Sequence, residues 1–150
     1  MKIIPKNNEY RTFPQANDIY RVIYYADSKL YGLFAQKIDF LKEKIASRQI
    51  QYYRSAAEYL GLLYKNAPTD LAIKIFKNDK NTIFVSIVEL ILSNKLFYDY
   101  YKERNEEKSI TDISTEFNLN YITAKRRCST IKSWIKWCDI ILTDNNVTVD

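Results

Sequence analysis

Ala124, Cys128, Ile131, Ile135 and Cys138 recur at i, i+4, i+7, i+11 and i+14. That spacing gathers onto one face only when the chain turns every 3.6 residues, so it predicts a helix from about Tyr121 to Cys138 with one side in a core. Trp134 borders this side, and Trp134 and Trp137 read as core or packing residues. Cys128 and Cys138 read as small buried apolar residues. The opposite face shows Thr123, Lys125, Arg126, Ser129, Thr130, Lys132, Ser133 and Lys136. Between Leu119 and Cys138 there are five cations, counting Arg127, and no aspartate or glutamate. That one segment carries as much positive charge as the excess of the whole chain, +5 from 23 basic and 18 acidic residues.

Several chemistries are excluded by what is missing. With only Gly32 and Gly61, the chain has no glycine-rich loop to cradle a phosphate or dinucleotide. With no histidine, Ser-His-Asp triads, Cys-His pairs and histidine metal sites fail. The two cysteines lie about three turns apart on one helix, too far to bridge, and lack the companions of a zinc finger. Asp99, Glu106 and Lys108 supply the residue types of a restriction-nuclease core, but such a core sets them on a sheet. Here they fall around a charged break, Arg104 to Lys108. The chain is therefore expected to be no enzyme and to need no metal or cofactor. The start, Met1 to Asn8, is short and polar, unlike a signal peptide. The most apolar run, Ile83 to Leu92, is broken by Ser86 and Glu89 and is too short to span a bilayer. The expected setting is cytoplasmic, with reduced thiols and no membrane partner.

The 150 residues suit one domain or two small modules sharing a core. Residues 1–16 read as an irregular arm, because Pro5 and Pro14 forbid a continuous helix. Asn17 is placed to cap a helix through Ile19, Val22, Ile23 and Ala26 that ends at Asp27-Ser28-Lys29. A second helix holds Leu33, Phe34, Ile38, Leu41 and Ile45. Ser47 caps a third, Arg48 to Leu60, stopped by Gly61. Leu62-Leu63-Tyr64 reads as a short strand, with Asn66-Ala67-Pro68 turning the chain. Helices over Asp70 to Phe76 and Thr82 to Leu92 and an aromatic turn through Phe97, Tyr98, Tyr100 and Tyr101 follow. Ser109, with Asp112 in the first turn, starts a helix to Phe117. Asn118-Leu119-Asn120 turns into the long basic helix. Ile140-Ile141-Leu142 and Val147-Thr148-Val149 read as strands joined by Asp144-Asn145-Asn146.

Helix, tight turn, longer basic helix and hairpin is the layout of a winged helix-turn-helix. A shift of 75 positions lays Ile38 on Ile113, Tyr53 on Cys128, Ala56 on Ile131, Tyr59 on Trp134, Leu60 on Ile135 and Leu62 on Trp137. The predicted fold is mainly α with short β wings, in two tandem winged helix-turn-helix modules. Its parts are an arm (1–16), a first module (17–80), and linking helices with a second module (81–150).

Long cations beside small hydroxyls suit a helix laid in a DNA groove, the cations meeting phosphates and the hydroxyls leaving room at base edges. The candidate contacts are Tyr121, Thr123, Lys125, Arg126, Arg127, Ser129, Thr130, Lys132 and Ser133, with Tyr121, Thr123, Lys125 and Arg126 meeting bases first. A solvated helix face gives the same pattern. In the first module Arg48, Gln49, Gln51 and Tyr52 are the candidates, with Arg54 and Ser55 beside them. Glutamine can pair with adenine and arginine with guanine, but Glu58 and the tyrosines equally fit a packed surface.

Two stretches go further: Arg48-Gln49, Tyr52-Tyr53, Ala56-Ala57 and Tyr59-Leu60-Gly61-Leu62; and Thr123-Ala124-Lys125-Arg126-Arg127, Thr130, Ser133-Trp134 and Trp137. With Phe13-Pro14-Gln15-Ala16, they resemble the tandem winged-helix domains that accompany bacterial restriction-modification and phage-defence proteins. The resemblance spans about residues 13–142. It implies non-catalytic binding of double-stranded DNA, as a recognition domain or regulator beside a nuclease, methyltransferase or other defence protein. This sequence departs from that pattern in holding no expected catalytic domain and in having no clean turn before Ser47. Two alternatives stand beside this reading: a winged-helix interaction module docking its basic helix on an acidic protein, and a plasmid replication initiator.

Overall fold

A computed structural model describes residues 1–7, 12–34 and 47–150, without the side chains of Ser47 and Arg48. The chain divides into two compact units, Arg11–Ile83 and Met1–Tyr10 with Phe84–Asp150. The described residues are mainly helical, with one two-stranded sheet.

In the unit Arg11–Ile83, helix α1 (Ile19–Ser28) is capped by Asp18 rather than Asn17. The Asp18 carboxylate accepts the amides of Tyr20 and Arg21, satisfying two of the donors a helix start leaves open. Val22, Ile23 and Ala26 are fully buried, on the face their spacing predicts. The chain then turns over a buried carboxylate: Asp27 accepts the amides of Leu33 (3.0 Å) and Phe34 (2.9 Å). The expected second helix, with Ile38, Leu41 and Ile45, lies outside the described residues. Helix α2 (Ser47–Tyr59) buries Tyr53, Ala56, Ala57 and Tyr59. It is closed by Gly61 at φ 79°, with Leu62 N–H donating to the Ala57 carbonyl. That left-handed position is where glycine is least penalised.

Strands β1 (Leu63–Tyr64) and β2 (Ala67–Pro68) pair antiparallel, with Leu63 opposite Pro68 and Tyr64 opposite Ala67. The turn is Lys65-Asn66, both at positive φ, as a two-residue hairpin loop requires. The expected turn therefore moves one residue back, and Ala67-Pro68 becomes a strand. Thr69 ties the hairpin to helix α3 (Asp70–Ile75): its hydroxyl donates to the Gly61 carbonyl and accepts the Ala72 amide.

Helix α4 (Lys80–Leu92) gives Phe84, Ile87, Val88, Ile91 and Leu92 to the core of the unit Met1–Tyr10 with Phe84–Asp150. Residues 1–7 are irregular, as expected, but they are not a free arm. Lys6 donates its amide to Ser93 and accepts that of Lys95, a parallel bridge beside Asn94. Helices α5 (Lys95–Glu103), α6 (Glu106–Phe117) and α7 (Tyr121–Asp144) pack on one another. Phe97 stacks on Trp134 at 5.2 Å between centroids, and Phe84 meets Trp137 edge-on at 5.7 Å. Both tryptophans and both cysteines are buried.

The predicted second wing is corrected. Ile140, Ile141 and Leu142 are not a strand but the last turns of α7, and residues 147–149 form no strand. The reason is periodic: Trp134, Cys138 and Leu142, and Trp137 with Ile141, continue the buried stripe at i+4. Core packing there outweighs the β preference of isoleucine. The charged break also shrinks to Arg104-Asn105, since α6 starts at Glu106 under an Asn105 cap. Ser109 is buried within that helix instead of capping it.

Candidate nucleic-acid interface

The candidate surface is built by α6, a three-residue turn and α7. Asn118 closes α6 in the left-handed conformation (φ 52°), and its amide and that of Leu119 both donate to the Ser114 carbonyl. Asparagine tolerates this conformation better than most residues with a side chain. Ser114 Oγ donates back to the Leu119 carbonyl at 2.6 Å, and Asn120 caps α7 by accepting the Thr123 amide at 2.9 Å. The turn is thereby fixed from both sides by short polar side chains, and the first turn of α7 has one orientation on α6. Below, Ile110, Ile113, Ala124, Cys128 and Ile131 are buried to 1% or less.

The outer face of α7 exposes Tyr121, Ile122, Lys125, Arg126, Ser129, Lys132 and Lys136, with Thr123, Arg127 and Ser133 half-buried. Thr130 does not belong to this surface. It is 2% exposed, on the core side between Arg126 and Trp134, so its assignment as a DNA contact is withdrawn. Arg127 lies over the Phe117 ring at 5.6 Å, which holds its guanidinium against α6. Ser129 Oγ donates to the Arg126 carbonyl.

The segment without acids in sequence acquires acids in space. Glu106 Oε2 accepts from Lys132 Nζ at 3.3 Å, and the Tyr121 hydroxyl donates to the Glu107 carboxylate at 3.1 Å. The hydrogen bond to Glu106 holds the Lys132 ammonium above the ordinary lysine pKa, and the bond to Glu107 raises the Tyr121 phenol. Lys125, Arg126 and Lys136 make no ion pair among the described residues, so three cations project freely from this helix. The proximity of Glu106 and Glu107 was hidden because they stand at the far end of α6. Their reach to Lys132 and Tyr121 of α7 comes from the way the two helices cross after the turn, which the sequence pattern alone did not specify.

In the other unit, Gln49 and Gln51 are exposed and Tyr52 and Ser55 are half-buried. Arg54 pairs with Glu58 at 3.0 Å. The Arg48 side chain and the segment 35–46 before α2 lie outside the described residues; among the described ones α1 packs on α2, with Arg21 donating to the Tyr53 hydroxyl at 2.9 Å.

Of the nuclease pattern, Asp99 and Lys108 share one cleft while Glu106 is turned away to Lys132, and each is held in an ion pair. Asp99 pairs with Lys95 (2.6 Å), Lys108 with Glu103 (3.0 Å) and Asp112 (3.2 Å), and Glu106 with Lys132. Asp99, Lys95, Lys108 and Asp112 line a cleft of about 300 Å³ with Asn7, Leu96, Thr115 and Glu116. Among the described residues, no group of three or more acids and thiols could hold a metal ion, and no helix is long and apolar enough to cross a membrane.

No curated protein and no solved structure matches this chain. One family model, described as a domain of unknown function (DUF7226), matches residues 24–143. The match covers most of the sequence, and the chain belongs to that family.

Proposed function

We propose that this protein binds double-stranded DNA without cleaving it, with α7 entering the major groove and α6 lying across the backbone. One observation carries the reading: Lys125, Arg126 and Lys136, without an ion pair among the described residues, project from a helix that a tight, doubly capped turn sets on its neighbour. Cations held on a rigid helix neutralise phosphates at little cost in ordering, and the leading turn of such a helix is the part that reaches bases. The hairpin after α2 takes the part of a wing in the other unit, whereas the helix-turn-helix of α6 and α7 acts without one. A role beside restriction or phage-defence proteins rests on the sequence resemblance.

A second reading has one observation in its favour. Ile122 and Ile140 are exposed on the same stripe as the cations, as an acidic protein partner with apolar patches would require. A mobility-shift titration on a random 30-base-pair duplex at moderate salt separates the two. Lys125→Ala with Arg126→Ala is expected to weaken binding more than tenfold while the melting temperature stays nearly unchanged. Equal binding by the double variant, or no binding by the wild type, overturns the DNA reading.

A further inference from the structure

Ile122 is 71% exposed, the most exposed large apolar side chain among the described residues. Nothing local accounts for it. It is the second residue of α7, after the Asn120 cap, so a hydrophobic staple would use Leu119 and Ala124 instead. A β-branched residue also favours an exposed helix position less than lysine, glutamate or alanine would. Its neighbours one turn on are Lys125 at i+3 and Arg126 at i+4, which at 100° per residue flank it on opposite sides. Neither makes an ion pair among the described residues. The surface is therefore an apolar knob between two free cations, on the leading turn of a helix.

The complement of that arrangement is an apolar point between two negatively charged walls. The major groove offers it at a thymine, whose 5-methyl lies on the groove floor between the two phosphate backbones. Resting on the DNA-binding reading above, we propose that Ile122 is a specificity-determining residue that packs against a thymine methyl, with Lys125 and Arg126 on the flanking phosphates. The Glu107 carboxylate, held beside this turn by Tyr121, adds a hydrogen-bond acceptor. The adenine paired with that thymine, or a neighbouring cytosine, presents an amino donor to match.

Alternating A–T and A–U duplexes of equal length test this, because they differ in the methyl group and share the phosphate charge. At one salt concentration, the wild type is expected to bind the A–T duplex about fourfold more tightly, the worth of one buried methyl. Ile122→Ala should remove most of that preference, lowering A–T affinity to near the A–U value. Lys125→Ala should weaken both duplexes alike and keep the preference. Equal wild-type affinity for the two duplexes, or an Ile122→Ala variant that retains the full preference, overturns the assignment while leaving DNA binding intact. Failure of the wild type to bind either duplex overturns both, and points to a protein as the occupant of this face.

Discussion

Asp27 shows how much one side chain can fix. Its carboxylate is fully buried and accepts two main-chain amides, from Leu33 and Phe34. Asp27→Ala would leave both donors short of an acceptor in a poorly hydrated place, at about 1–3 kcal/mol each. A loss of about 2–6 kcal/mol is expected in urea denaturation; a loss below about 0.5 kcal/mol would show that water or a neighbour replaces the carboxylate. At the interface, the informative residue is Glu106. It occupies Lys132, so Glu106→Gln releases a fourth cation on α7. Duplex affinity should rise several-fold and the salt slope should steepen by about one unit, because one more phosphate is neutralised. Unchanged affinity and slope would mean that Lys132 faces away from the bound backbone. Neither effect could be read from the sequence. Glu106 stands 26 positions from Lys132 along the chain, and a buried aspartate at a helix end looks like any exposed one until its acceptors are filled.

At the scale of elements, α7 was legible from Tyr121 to Cys138 and misread beyond it, from Asp139 to Asp144. The stripe Ala124, Cys128, Ile131, Ile135, Cys138 is strictly helical, and all five residues are fully buried. Beyond it, three consecutive β-branched or branched residues and an Asp-Asn-Asn signal looked like a hairpin. Local preference lost to burial, because Ile141 and Leu142 still fall on the stripe, and the chain ends its helix at Asn145 and Asn146 instead. Ile140→Pro separates the two conformations. Ile140 is exposed, so the substitution acts through the backbone alone, removing an N–H and clashing with the preceding turn. A cost of about 3 kcal/mol is expected in thermal or urea unfolding. A variant as stable as the wild type would favour an edge strand. The turn between α6 and α7 was legible for a different reason: asparagines and serine make their own short hydrogen bonds, so their chemistry and their position coincide.

For the molecule as a whole, the balance of charge decides which unit leads in the proposed binding. Of the five cations in the segment 119–138, Lys132 meets Glu106 and Arg127 lies on Phe117, which leaves Lys125, Arg126 and Lys136 without an ion pair among the described residues. In the other unit, Arg54 is held by Glu58. A linear count of charge along the sequence ignores the acids that the fold brings across to α7. The most direct test is the logarithm of duplex affinity against the logarithm of salt concentration for the wild type and two multiple variants. Neutralising Lys125, Arg126 and Lys136 together is expected to flatten the slope by about 2–3 units, at roughly 0.9 per phosphate contact. Neutralising Arg48 and Arg54 should change it by about one unit or less. A larger loss of slope in the Arg48 and Arg54 variant, or an unaltered slope in the α7 variant, would contradict the placement of DNA on α7.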